Sequence, residues 1–473
     1  MTPGLLPDRS TLKALIAATV VLGLLALALP LSTGALRAAI FLAVSAGAVG
    51  VSAVFWPEAL VMAYLFAGRY GYEARLAPND LPLSLNQMFL VAMGALALVH
   101  GRHVLRVLRS PSIIALLGFG LVMVLGLGWT RGPSYGLYKV ARTWFVIIPA
   151  VVLAATLVRR RGTAIPLILA AFGIGLALNT VALVNFQAAM EDTNRLTGLG
   201  SGPNVFSRTV GLSLLIALLT LIYLYQRKLT SAGSRVLFAL AGLAFLWLLP
   251  GFVFAQSRGP ALSLIAAIAL VLGLSLYKNW RAAAAALVSV IVTAWGGSFL
   301  VGRIFTHTRF DLTKESNFAS VDSRVELLWD TWDMIIANPL LGVGTGGWPV
   351  EMYGIDIRSY PHSLFAEIAA ENGLVYLVLM LLLYAAVVIG GLVIWARTRA
   401  PLERFVVLGA LSAFVYFLIN VQISGDSVDN RIIWLTLALV DHTAQLARQA
   451  SRVGVEPRWT VRSVGIGATA PSS

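Results

Sequence analysis

The chain has 473 residues, of which 58% are hydrophobic and only 12% charged, with a mean hydropathy of +0.84. Soluble globular proteins carry about 25% charged residues, so an ordinary soluble fold is excluded and a polytopic membrane protein is expected. The net charge of +14 does not point to nucleic acid, because the basic residues are scattered between apolar runs; the absence of cysteine removes disulfides, thiolate metal sites and cysteine nucleophiles.

In chain order the apolar segments fall near 11–31, 36–51, 53–68, 82–100, 112–129, 140–158, 163–186, 204–226, 235–254, 260–277, 282–301, 374–396, 402–422 and 430–447. A spanning helix needs about 20 such residues. Thr11 to Leu31 lacks a small-residue cleavage site and reads as a retained helix. The 33 or so residues from Leu36 to Gly68 make either a tight hairpin or one long tilted helix. The expected fold class is therefore an all-α polytopic membrane protein with 12 to 14 transmembrane helices and a large, mostly helical external loop.

Short loops give the orientation. Those holding Arg102, Arg106 and Arg109, Arg159 to Arg161, Arg227, Lys228 and Arg235, Lys278 and Arg281, and Arg397, Arg399 and Arg404 alternate onto one side, with Glu403 as their one acid. The positive-inside rule makes that side cytoplasmic, and both termini join it. The other side receives the interval from Gly302 to Gly373, which holds ten of the 21 acids. The expected organisation is an N-terminal transmembrane bundle over 1–301, a cap loop over 302–373, C-terminal transmembrane helices over 374–447 and a cytoplasmic tail over 448–473.

Within the bundle, Asn194 to Arg208 (NRLTGLGSGPNVFSR) puts Arg195 before three glycines, with Pro203 and Asn204 opening the next helix. Converging backbone amides and a helix N-terminus attract anions. A plain glycine-rich turn is the alternative. Gln256 to Pro260 (QSRGP) holds Arg258 at the outer surface, where an unpaired guanidinium is costly unless it snorkels to headgroups or binds a phosphate. Lys139 and Arg142, at the outer end of the 140–158 span, add to the same positive field.

The cap contains Ser323 to Ile336, whose Val325, Leu328, Trp329, Trp332 and Ile336 share one stripe, predicting a helix along the membrane surface or over a cleft. Its tryptophans either anchor in the headgroup layer or stack on a sugar. Asn338 to Trp348 (NPLLGVGTGGW) must turn sharply or let a ligand approach its backbone, and is expected to position the helix that carries His362. That helix opens at Ser359 to Gly373 (SYPHSLFAEIAAENG), after Pro361, with Ser363 in its first turn and Gly373 at its end. His362 at its mouth feels the positive end of the helix dipole, which keeps imidazole neutral and able to accept a proton; the alternative is that it only caps its helix.

Taken together, Arg195 in its glycine-rich turn, Arg258 in SRG, the NPLLGVGTGG turn and HSLFAEIAAENG resemble the O-antigen ligase and polymerase superfamily. One departure is Ser363, where many relatives have asparagine. The resemblance implies a multi-pass enzyme of the bacterial inner membrane with a periplasmic loop and active site. It implies transfer of a glycan from undecaprenyl diphosphate, in the ligase branch to lipid A-core, by a metal-independent inverting reaction that needs no cofactor. His362 then becomes the base and Arg195 and Arg258 the diphosphate ligands. Arg324 clamps a phosphate or pairs with Glu326 or Asp330, and Tyr360 and Glu367 support the base. An O-antigen polymerase or a protein O-oligosaccharyltransferase would share this chemistry with another acceptor, and a transporter is the different class. Mid-helix charges along a pathway, as a transporter requires, are not evident.

Overall fold

In a computed structural model, the described residues are 56–67, 85–158, 164–190, 195–198, 201–227, 229, 231–275, 281, 288, 319–398 and 401–452. The labelled helices are α1 (Pro57–Ala67), α2 (Leu85–Val99), α3 (Gly101–Val107), α4 (Pro111–Gly126), α5 (Pro133–Leu157), α6 (Ala164–Val184), α7 (Pro203–Gln226), α8 (Ala232–Phe254), α9 (Arg258–Ser275), α10 (Ala319–Ala337), α11 (Trp348–Tyr353), α12 (Leu364–Asn372), α13 (Leu374–Arg397), α14 (Pro401–Val421) and α15 (Ile432–Arg452). Among these residues the one β-type pairing is a single bridge between Met190 and Leu196.

Seven of these helices, α5 to α9, α13 and α14, are long and apolar enough to cross a membrane. The α2–α3 pair, bent by 92°, brings the number to eight if it counts as one span. The all-α polytopic class stands, but the described residues do not reach 12 to 14 spans. Segments 11–31 and 36–51 and nearly all of 282–301 lie outside them, and α4 and the apolar parts of α1 and α15 are shorter than a full crossing. The tail beyond Arg452, residues 302–318 of the cap and the basic Arg159 to Arg161 also lie outside the described residues.

Helix α7 is the centre of the bundle. Two-thirds of its most apolar stretch is buried, against 17% for α8, and it packs on α6, α8, α9 and α14. Gly175 of α6 and Gly211 of α7 sit where neighbouring side chains approach closely, Ser213 in the first case and Tyr416 of α14 in the second. Helix α5 begins seven residues before the expected 140, at Pro133, and passes through a wide turn at Thr143–Ile147. Lys139 is therefore inside a helix that docks on the cap and is not at a loop-facing end.

The cap is built on α12. Met334, Ile335, Val343, Trp348, Ala369 and Ala370 form its small core, and the Trp348 indole donates to Thr331 at 3.0 Å. Helix α10 thus docks through Leu327, Thr331, Met334 and Ile335, while the stripe of Val325, Leu328, Trp329, Trp332 and Ile336 is exposed. The turn after α10 runs beneath α12. Val343 and Gly344 donate backbone hydrogen bonds to the carbonyls of Ala370 and Glu371, satisfying the last turn of that helix. Gly346 takes a left-handed φ of 75° and lies so near α5 that a Cβ there would meet the Gly136 nitrogen at 2.3 Å. Only glycine fits both demands.

Candidate functional site

Asn204 near the start of α7, Arg258 at the start of α9 and Asn420 near the end of α14 come together on the face that carries Arg324 and His362 of the cap. Between them lies a cavity of ≈ 280 Å³. Arg195, Asn204, Arg208, Arg258, Arg324 and His362 line it, with Gln256, Asn420, Gln422 and Ser424 beside them. Four regions of the chain, around 195–208, 256–262, 324–362 and 420–424, therefore contribute to one wall.

Arg195 is 8% exposed and is held by its surroundings. Its Nε donates to the Ala255 carbonyl at 3.1 Å and its Nη2 to Asn204 Oδ1 at 3.3 Å, while Ser257 Oγ donates to the same Asn204 oxygen at 2.5 Å. The backbone of Leu196 donates to the Phe254 carbonyl, tying the glycine-rich segment to the end of α8. Four residues after Asn204, on the same face of α7, Arg208 donates to Asn430 Oδ1 at 2.8 Å and to the Ser424 carbonyl at 2.6 Å. A guanidinium that is 3% exposed in a membrane protein demands such acceptors.

His362 is reached by an anchored strap. Asp356 accepts from the backbone nitrogens of Ser134 and Tyr135 in the first turn of α5, at 2.7 and 3.1 Å. Arg358 pairs with Asp426 at 3.5 Å and with Asp429. Tyr360 packs edge-on to the His362 ring, with centroids 4.8 Å apart. Ser363 caps α12 through Ala366, and its hydroxyl donates to Gln422 Oε1, which also accepts from the Phe365 backbone. His362 itself has φ 59°, a strained backbone for any residue other than glycine, at the point where the chain swings into the cavity.

Burial pushes the His362 imidazole down to about 4, with the nearby charges of Arg324 and Arg208 acting in the same direction. The ring is neutral at pH 7, as expected, but desolvation is the largest cause, where the sequence pointed to the helix dipole. Its Nδ1 is buried with no hydrogen-bond partner among the described residues, and the residue lines the cavity.

The remaining candidates sit elsewhere. Lys139 does not line the cavity. It is fully buried, and its Nζ is 2.6 Å from both Glu367 Oε1 and Glu371 Oε1, so its charge is neutralised and adds nothing to a field there. The two glutamates, four apart on α12, close on it from one helix face, and Glu367 also accepts from the backbone and hydroxyl of Ser427. Glu367 thus anchors α12 from behind. Arg142 pairs with Asp429 at 3.7 Å and packs over Tyr138, outside the cavity lining. Arg324, by contrast, lines the cavity together with Leu328 of α10.

Sequence reading missed Arg208, Asn420 and Gln422 as members of the lining. The four-residue step from Asn204 to Arg208 was the signal for the first. For Asn420 and Gln422, at the end of a late span, no local pattern marks them. The lining contains four guanidiniums and, among the described residues, no carboxylate.

Residues 243–381 match the model of the O-antigen ligase family. No curated protein matches the chain. The matched segment holds Arg258, Arg324 and His362; Arg195, Asn204, Arg208 and Gln422 lie outside it in sequence and join it only in space.

Proposed function

We propose, with the O-antigen ligase match over 243–381 as the premise, that this membrane protein transfers a glycan from undecaprenyl diphosphate to a sugar hydroxyl of lipid A-core on the periplasmic face of the bacterial inner membrane. The observation that carries the reading is the meeting of a neutral histidine with four arginines around one cavity. A second observation supports a lipid-borne donor: Leu262 and Leu328, which line the cavity, are 56% and 39% exposed, giving it an apolar flank on the helix surface where an isoprenoid tail can lie.

In this reading Arg195 and Arg258 hold the diphosphate, whose oxygens match guanidinium forks. Asn204 fixes Arg195, and Arg208 and Arg324 add positive charge. The acceptor hydroxyl attacks the anomeric carbon from the side opposite the diphosphate and gives its proton to the His362 imidazole. The bond from that carbon to the diphosphate oxygen breaks, and undecaprenyl diphosphate departs with the electron pair. The configuration inverts. Fixed guanidinium charge stabilises the departing anion, the role a divalent ion fills elsewhere, so the proposal requires no metal or cofactor. Bound diphosphate also offsets the repulsion that Arg324 and Arg208 exert on imidazolium, raising the basicity of His362 when the donor is in place.

The test is transfer by the purified protein from an undecaprenyl-linked glycan to lipid A-core, to a second lipid-linked glycan and to a serine-bearing pilin peptide, each supplied alone. Product on lipid A-core supports the ligase. Product only on the second glycan or the peptide replaces it with a polymerase or a protein O-oligosaccharyltransferase.

A further inference from the structure

At the end of the bundle opposite His362 there is a second cavity, of ≈ 390 Å³. It lies where the C-terminal ends of α7, α9 and α13 meet the first turn of α14. Arg227, Arg404, Tyr223, Gln226 and Trp395 supply its polar and aromatic wall, and Leu219, Ile222, Phe405 and Leu408 its apolar floor. Nothing in the glycan-transfer reading uses it.

Both arginines are held in place by neighbours that leave their charge uncancelled. The Arg404 guanidinium lies 4.0 Å above the Trp395 ring, and Arg227 donates to Tyr223 Oη at 3.1 Å while packing against that ring. Among the described residues no ion pair engages either guanidinium, and the lining holds no carboxylate; buried Glu403, beside Arg404 in sequence, is not part of it. The first turn of α14, beginning at Pro401, adds backbone N–H groups without helical partners. Two guanidiniums, aromatic rings at the level of the helix ends and an apolar floor reaching into the bundle match one chemistry: a phosphate group carried on an acyl chain.

We infer that this cavity is a binding site for an anionic phospholipid, its phosphate held between Arg227 and Arg404 and its chain along Leu219, Ile222 and Phe405. The site is far from the reacting atoms, so it acts on the stability of the bundle and not on the chemistry. It also brings together α9, α13 and α14, the helices on either side of the cap in sequence.

The experiment uses the full chain in a neutral detergent, with melting followed against added phosphatidylglycerol, phosphatidylcholine or inorganic phosphate. Phosphatidylglycerol is expected to raise the melting temperature, with neither of the others doing so. The Arg227→Gln/Arg404→Gln double variant is expected to lose that shift, binding phosphatidylglycerol at least about tenfold more weakly, because charge-assisted hydrogen bonds to phosphate are lost. Arg227→Lys/Arg404→Lys, which keeps the charge, is expected to retain part of it, and this controls for misfolding. An equal shift with inorganic phosphate would overturn the lipid assignment in favour of a soluble phosphate ligand. An equal shift with phosphatidylcholine, or one that survives in the double glutamine variant, would overturn the site.

Discussion

Replacing Lys139 by methionine probes the device that holds the His362 helix. The ammonium lies 2.6 Å from a carboxylate oxygen of both Glu367 and Glu371, and none of the three side chains is more than 3% exposed. Removing one partner of a buried ion pair leaves uncompensated charge at a cost of about 3–5 kcal/mol. Lys139→Met should therefore lower the melting temperature in detergent sharply and abolish transfer as α12 shifts. Neutralising the whole cluster, in Lys139→Met/Glu367→Gln/Glu371→Gln, removes the stranded charge and should be more stable than the single variant. A pH signature follows. Burial already raises the Glu367 carboxyl above its ordinary value, and loss of Lys139 raises it further. A carboxyl raised in the folded state contributes stability below its unfolded pKa and loses it as pH rises through the folded value. The deficit of Lys139→Met relative to wild type should then be smaller at pH 5 than at pH 8. A triple variant no more stable than the single one, or a deficit independent of pH, would refute the reasoning.

Other outcomes follow from the cavity and its supports. His362→Ala should reduce transfer by about 10²–10⁴-fold while the donor still binds, and turnover at the wild-type rate would remove the histidine from the role of base. Arg324→Gln takes away one of the charges that disfavour imidazolium; the acid limb of kcat/KM, set near 4 by the free protein's histidine, should move up but stay below 6.5 because burial remains. A limb that stays in place would separate Arg324 from the base. Gly346→Ala, which sets a Cβ against the α5 backbone at a φ of 75°, should lower both melting temperature and transfer, and an unchanged melt would show that the turn can move aside.

The pattern of the chain is enough to read several features directly. Long apolar runs demand helices because lipid offers no partners for backbone groups, and this holds whatever the neighbours. Ser363 and Gly373 delimit α12 by capping chemistry that is local to a few residues. The oddity of arginines beside glycine and helix starts was also visible, since burying a guanidinium near a membrane always needs an explanation. Partners across the fold were not legible. Lys139 and Arg195 read alike as cations near the end of a span, yet one is cancelled by two carboxylates 228 and 232 residues away and the other lines the cavity. The exposed tryptophan stripe of α10 was read correctly as a stripe, but the face that docks, through Leu327, Thr331 and Met334, depended on where Trp348 came to rest.

Sequence by itself determined the helical membrane class, the local boundaries of α12 and the residue types able to bind phosphate or take a proton. Tertiary structure decided which of those charges meet. Local propensities act over a few residues, whereas a cavity wall assembled from α7, α9, α10, α14 and the strap before α12 exists only after helices far apart in the chain have packed.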